Sequence, residues 1–98
     1  MTKKFEMNGM VVSFNITECH SKIKVEISME SFQSVDKESY YLTKKVIYNE
    51  FKLHKEVYNV MKSLSNKWRM FEFPGVKAKF HNELLESSNE YALRMVEE

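Results

Sequence analysis

The residues best able to do chemistry stand together at Glu18-Cys19-His20, where a carboxylate, the chain's single thiol and an imidazole follow one another. All three can bind a transition metal, and a thiol beside a histidine can act as a nucleophile with its base. Structural zinc sites show paired spacings such as Cys-x-x-Cys, however, and His54 and His81 are distant in sequence. We therefore interpret the triplet as a turn with incidental side chains. An enzyme that uses Cys19 with His20 or His54 is the least favoured hypothesis.

No other catalytic arrangement is present in the sequence. Glu83, Glu86 and Glu90 follow one side of a helical pattern, and a row of acids on an exposed face usually serves solvation. Two glycines could hardly build a phosphate-binding loop. We predict no catalytic residue, no metal and no cofactor, and therefore a protein that is not an enzyme.

Charge is distributed unevenly, although the net charge is only +1. Residues 44–79 carry nine basic and three acidic groups, whereas residues 80–98 carry one basic and five acidic groups. Within the basic block, lysines and asparagines recur at helical spacing: Lys52, Lys55, Asn59, Lys62 and Asn66. Such a face is usually solvated, but it also attracts phosphate backbones without reading sequence. It predicts an alternative function, a nucleic-acid-binding module for RNA or DNA in which Lys52, Lys55 and Lys62 contact phosphates.

Aromatic side chains exceed what one helix stripe and one sheet face require. Taken singly, each ring is explained by packing in the core. Taken together, they favour a protein interface, because Tyr and Trp bury large areas at low entropic cost. The predicted partner interface consists of Trp68, Arg69, Phe71 and Phe73.

The elements that position these side chains follow from a change in hydrophobic period. Apolar residues alternate strictly over residues 22–30, which is typical of a half-buried strand. From residue 53 they follow the period of an amphipathic helix: Leu53, Val57, Val60, Met61, Leu64 and Trp68. The predicted fold class is α+β, with a three- or four-stranded antiparallel sheet from the N-terminal half packed against two amphipathic helices from the C-terminal half. Neither layer can bury its apolar face alone.

Turn residues indicate where the first strands meet. Asn8-Gly9 predicts a two-residue hairpin turn, and a single long strand with a bulge at Gly9 is the alternative. Residues 18–21 would then turn the chain into the strand at 22–30. The hairpin would join a strand around Phe5 and Met7 to one with Met10, Val12, Phe14 and Ile16 on one face.

The middle of the chain allows two interpretations. Residues 31–39 are polar and predict a loop. The aromatic and β-branched residues that follow favour a strand at 40–48 and then a helix at 51–67. Because Leu42 and Val46 also extend the helical stripe, a single helix over 37–68 is the alternative, although it would be unusually long.

Pro74-Gly75 also allows two interpretations. It could close a hairpin of residues 69–73 and 76–80, or Pro74 could open a helix. The helix is favoured because it accounts for the spacing of more apolar residues. They then form one stripe along the helix, with Ser87 or Ser88 at the position where an apolar residue is missing. The members of this stripe are Val76, Phe80, Leu84, Tyr91 and Met95. Both interpretations include a helix over 81–96, in which Leu85 and Ala92 also face inward.

Size and composition limit the remaining possibilities. Ninety-eight residues predict a single domain over 1–98, and a hydrophobic content of 43% is too high for a disordered chain. One cysteine allows no intramolecular disulfide and favours a reducing compartment. Neither a signal peptide nor a membrane-spanning run is present in the sequence, so we expect a cytoplasmic protein that does not bind membranes. Abundant lysine, asparagine and aromatic residues fit an AT-rich coding sequence, as in many bacteriophages.

The favoured function is a non-catalytic interaction protein that binds a macromolecular partner and modulates or inhibits it. A phage or mobile-element accessory protein is the setting that the composition favours. Because the core of so short a chain is small, a homodimer that buries a second apolar face would add stability.

Overall fold

The structure, a computed structural model, describes residues 1–43 and 49–97. The chain divides into two compact units, Met1–Lys44 and Lys45–Glu98. The first contains an antiparallel sheet and the second contains helices, so the predicted α+β fold class is confirmed. The packing of the helices against the sheet and the single domain over 1–98 stay predictions.

Four strands form the sheet of the first unit. They are β1 (Thr2–Met7), β2 (Met10–Cys19), β3 (Lys22–Glu30) and β4 (Val35–Thr43). Each strand pairs antiparallel with the next one in the chain, so the order in the sheet is β1-β2-β3-β4. The register sets Phe14 opposite Ile27 and Val25 opposite Tyr40, which brings the apolar residues of neighbouring strands to the same face.

One face of this sheet is buried, as the alternating pattern of residues 22–30 predicts. Its buried apolar residues are Met7, Val12, Phe14, Ile16, Ile23, Val25, Ile27, Met29 and Leu42. The opposite face is polar: the hydroxyls of Ser13 and Ser28 share a hydrogen bond, and Lys24 Nζ lies 3.7 Å from Glu26 Oε2. The separation of apolar and polar residues is clearest in β3, whereas Val11, Val35 and Tyr41 lie exposed on the mainly polar face.

Short turns connect the strands at both predicted places. Asn8 and Gly9 have φ angles of 50° and 78°, and a two-residue hairpin turn with both central residues at positive φ accounts for the Asn-Gly pair. The hairpin is confirmed, and the bulged strand is wrong. The next turn contains only His20, with φ 57°, and Ser21, because Glu18 and Cys19 belong to β2.

The predicted loop at 31–39 is wrong in its second half, because β4 begins at Val35. The connection is only four residues long, and the Ser31 N–H donates to the Ser34 oxygen over 2.9 Å. The predicted strand at 40–48 starts five residues too late. Its last part lies outside the described residues, since 44–48 are not described. The strand conformation of β4 also excludes the single helix over 37–68.

The second unit begins with the helix α1 (Glu50–Lys67), one residue earlier than predicted. Its N-cap is Asn49, whose side-chain oxygen accepts a hydrogen bond from the Lys52 N–H over 3.2 Å. The predicted stripe is buried, namely Leu53, Val57, Val60, Met61, Leu64 and, just beyond the helix, Trp68.

Pro74-Gly75 precedes a helix and does not close a hairpin. Residues Arg69–Glu72 form a 3₁₀ turn, and the helix α2 runs over Val76–Glu97. Its first hydrogen bond joins the Lys79 N–H to the Gly75 oxygen over 3.1 Å. The hairpin of 69–73 and 76–80 is therefore wrong.

The apolar stripe of α2 is interrupted by serines, as predicted. Val76, Phe80 and Leu84 are buried, and so are Ser87 and Ser88. The Ser87 hydroxyl donates to the Glu83 carbonyl oxygen over 2.8 Å, which satisfies it inside the helix. Leu85 and Tyr91 are half-buried, and the side chains of Ala92 and Met95 lie outside the described residues.

Candidate functional site

An aromatic cluster lies in the second unit, where α1, the 3₁₀ turn and α2 follow one another. The rings of Trp68 and Phe71 are stacked, with centroids 6.2 Å apart and an angle of 9° between the planes. Phe80 meets both rings edge-on, at 6.2 Å from Trp68 and 5.1 Å from Phe71. Such edge-to-face pairs add to the stabilisation that burial of the rings gives. The cluster therefore fixes Phe71 from two sides.

A groove of about 570 Å³ opens beside this cluster. That volume is within the usual range for ligand-binding clefts, about 300–1,000 Å³. Its apolar lining comes from Tyr58, Met61, Phe71, Phe73, Pro74 and Ala78. Glu72, Lys77, His81 and Asn82 add a few polar groups at the same groove. Concave apolar surfaces with a few polar groups are where proteins usually bind ligands or partner side chains.

Two aromatic side chains of the groove remain accessible. Phe73 and Tyr58 each expose 59% of their area. Phe73 is the last residue before Pro74, and its N–H donates to the Met70 oxygen over 3.1 Å. That hydrogen bond and the following proline restrain the backbone at Phe73, and therefore the place from which its side chain projects.

The four predicted interface residues have different surroundings. Phe71 and Phe73 line the groove, and Arg69 is exposed at the start of the 3₁₀ turn. Trp68 is only 7% exposed, so a partner could reach little of it. Trp68 belongs to the cluster behind the groove, where its ring is stacked with that of Phe71.

The solvent face of α1 carries the three predicted lysines. Lys52, Lys55 and Lys62 are all exposed, and among the described residues none of them forms an ion pair with a carboxylate. Phe51 exposes 78% of its area and, with Tyr58, lies on the same side of the helix at 3.6 residues per turn. The face is therefore both cationic and aromatic.

Glu18, Cys19 and His20 do not form a site in the structure. Glu18 and Cys19 are successive residues of β2, so their side chains point to opposite faces, and Cys19 is an exposed free thiol. Within residues 1–43 and 49–97, no group of three or more His, Cys, Asp or Glu side chains could hold a metal ion. His54 belongs to the second unit, where its Nε2 lies 3.8 Å from Glu50 Oε1.

The sequence interpretation missed several residues of these surfaces. Tyr58, Pro74 and His81 line the groove without having been assigned to it. Phe51 and Tyr58 lie seven residues apart and outside the buried stripe of α1, so helical spacing could have revealed them as exposed aromatics.

The chain matches no protein-family model, no curated protein and no solved structure. Of the helices in the described part of the chain, none is both long enough and apolar enough to cross a membrane.

Proposed function

We propose that this chain is a non-catalytic interaction protein whose helical unit binds an apolar segment of a protein partner and thereby modulates or inhibits that partner. The observation that carries the proposal is the groove, where the exposed Phe73 and Tyr58 stand beside the fixed ring of Phe71. Aromatic side chains in well-packed pockets contribute most of the binding energy at many protein interfaces.

The groove suits an aliphatic or aromatic side chain as the anchor of the partner. Its rings and the proline supply apolar contact, whereas Lys77, His81 and Asn82 supply hydrogen-bond donors that can orient the backbone or a polar flank. The fixed position of Phe71 reduces the entropy lost on binding. Arg69, exposed at the start of the 3₁₀ turn, could add a charged contact at the rim.

The proposed setting is the cytoplasm, with a phage or mobile element as the source. An exposed free thiol such as Cys19 persists most readily in a reducing compartment. A small protein without a partner-independent activity fits an accessory role, in which binding alone changes what the partner does.

The test replaces Phe73 with serine and uses Phe32→Ser as the matched control. Phe32 is an equally large ring that is fully exposed between β3 and β4. Tagged wild-type and variant proteins are incubated with nuclease-treated lysate, and the affinity for any retained protein is then measured with the purified pair. We expect Phe73→Ser to weaken binding at least about thirtyfold, because hot-spot residues contribute about 2 kcal/mol or more. Phe32→Ser should bind as the wild type does.

The proposal fails if Phe73→Ser retains the same proteins with the same affinity as the wild type. It also fails if both variants weaken binding equally, since the effect would then come from general surface hydrophobicity. Circular dichroism of Phe73→Ser checks that the helices persist, as expected for an exposed side chain.

A further inference from the structure

We infer that the solvent face of α1 binds single-stranded nucleic acid through alternating aromatic rings and lysines. The residues in order are Phe51, Lys55, Tyr58 and Lys62, at steps of four, three and four, so they form one row along the helix. Lys52 extends the cationic surface beside this row. This binding site is a function beyond the proposed protein interaction.

The charges of the row favour a polyanion. Lys52, Lys55 and Lys62 are exposed, and within the described part of the chain no carboxylate pairs with them. The two acidic residues of α1 lie outside the row: Glu50 lies beside His54, and Glu56 is half-buried one turn beyond Lys52, with no ion pair between Lys52 and Glu56 among the described residues. Three unpaired cations on one face can each neutralise a phosphate and release a counterion.

The two rings favour a strand whose bases are accessible. Phe51 and Tyr58 expose 78% and 59% of their areas and lie about 10 Å apart along the helix, from seven residues at about 1.5 Å each. Bases stacked in a duplex are separated by about 3.4 Å, and their faces are covered. Rings spaced so widely can each stack on a base only when the strand is unpaired and its bases are spread.

Amide side chains complete the same face. Asn59 and Asn66 lie beside the lysines at helical spacing, and both are exposed. An asparagine side chain both donates and accepts hydrogen bonds, so it can contact a base edge whichever groups that edge presents. An acidic protein segment would pair with the lysines, but it would not account for the spacing of the two rings. The observations therefore favour nucleic acid as the ligand.

The test measures fluorescence anisotropy of labelled oligothymidylate and oligouridylate with the full chain, and of a duplex of equal length. We expect both single strands to bind more tightly than the duplex. The logarithm of the affinity should fall with the logarithm of salt concentration with a slope of about −2, from three lysines at about 0.7 each.

Two pairs of variants assign the binding to the row. Phe51→Ala should weaken single-strand binding roughly 5- to 100-fold, the range found when a stacking ring is removed, while Phe32→Ala should have no effect. Lys55→Gln should reduce the salt slope by about 0.7, and Lys37→Gln, at an exposed position in β4, should leave it unchanged. All four side chains are exposed, so circular dichroism should match that of the wild type.

Three results would overturn the inference. The first is no anisotropy change with either single strand up to about 100 µM protein at low salt, the weak limit of non-specific binding. The second is duplex binding as tight as single-strand binding, with Phe51→Ala neutral. The third is tighter binding of polyglutamate than of either oligonucleotide. Because Phe51 does not line the groove, none of these results decides whether a protein binds there.

Discussion

Phe80 is the residue on which the geometry of the groove depends, although it is fully buried and contributes nothing to the surface. Its ring meets Trp68 and Phe71 edge-on, and Phe71 is the member of the cluster that lines the groove. The same sequence pattern that predicts a helix stripe at Phe80 thus also determines where a groove-lining ring lies. A buried residue and a half-buried residue of the groove are packed together.

Phe80→Ala should lower the free energy of unfolding by about 3–5 kcal/mol, because a large buried ring is replaced by a cavity. Trp68 loses one of its ring neighbours and gains access to water, so its fluorescence should shift to longer wavelength. Denaturant unfolding followed by circular dichroism and tryptophan emission measures both effects. Phe80→Leu, the control, should lose less stability because it keeps more of the volume. Unchanged stability and emission in Phe80→Ala would contradict the packing described.

The strands and helices differ in how well the sequence predicts their bounds, because only elements with a buried apolar face show a regular pattern of apolar residues. β3 alternates between a buried and a polar face, so its bounds at 22–30 follow directly from the pattern. The first half of β4 is an edge strand with almost no apolar residues, and it is held by backbone hydrogen bonds to β3. Backbone hydrogen bonds do not depend on the type of side chain. The mostly polar residues 35–39 therefore led to the prediction of a loop. The number of aromatic residues led to the prediction of an interface, which stays a prediction. The groove itself could not be predicted, because it includes residues of a 3₁₀ turn that has no periodic sequence pattern.

The start of α1 offers a test at the scale of an element. Asn49→Ala removes the side-chain oxygen that accepts from the Lys52 N–H and should lower the free energy of unfolding by about 1 kcal/mol. Asn49→Asp, the control, keeps an acceptor and should retain most of the stability. Chemical denaturation measured by circular dichroism gives both values. An Asn49→Ala variant as stable as the wild type would show that the cap contributes nothing.

At the scale of the whole molecule, the chain joins a sheet unit with mixed charges to a helical unit that carries both proposed surfaces. The order of these units was predicted from the change in hydrophobic period. The division near residue 44 was not predicted, because no proline or glycine marks it, although the basic block of residues 44–79 begins there. Composition and the period of the apolar residues indicate the class of fold. They do not indicate where along the chain the contacts between residues become few.

Self-association is a property of the whole molecule. We expect the wild type to sediment as a dimer at high concentration, since a short chain gains stability by burying a second apolar surface. If the groove mediates the contact, Phe73→Ser should shift the equilibrium to monomer and Phe32→Ser should not. Sedimentation equilibrium over a wide range of concentrations measures this directly. A monomer throughout that range would exclude the homodimer.

The connectivity of the sheet has a consequence for how the chain folds. Every ladder joins strands that are adjacent in sequence, through turns of two to four residues. The contact order of this unit is therefore low for a β-structure, and each hairpin can close on the microsecond scale, roughly 1–10 µs, without waiting for a distant segment. Because all four strands precede the helices, a complete set of sheet partners leaves the ribosome before α1 and α2 emerge from it. The hairpins can pair during translation, while the helical unit is still being made.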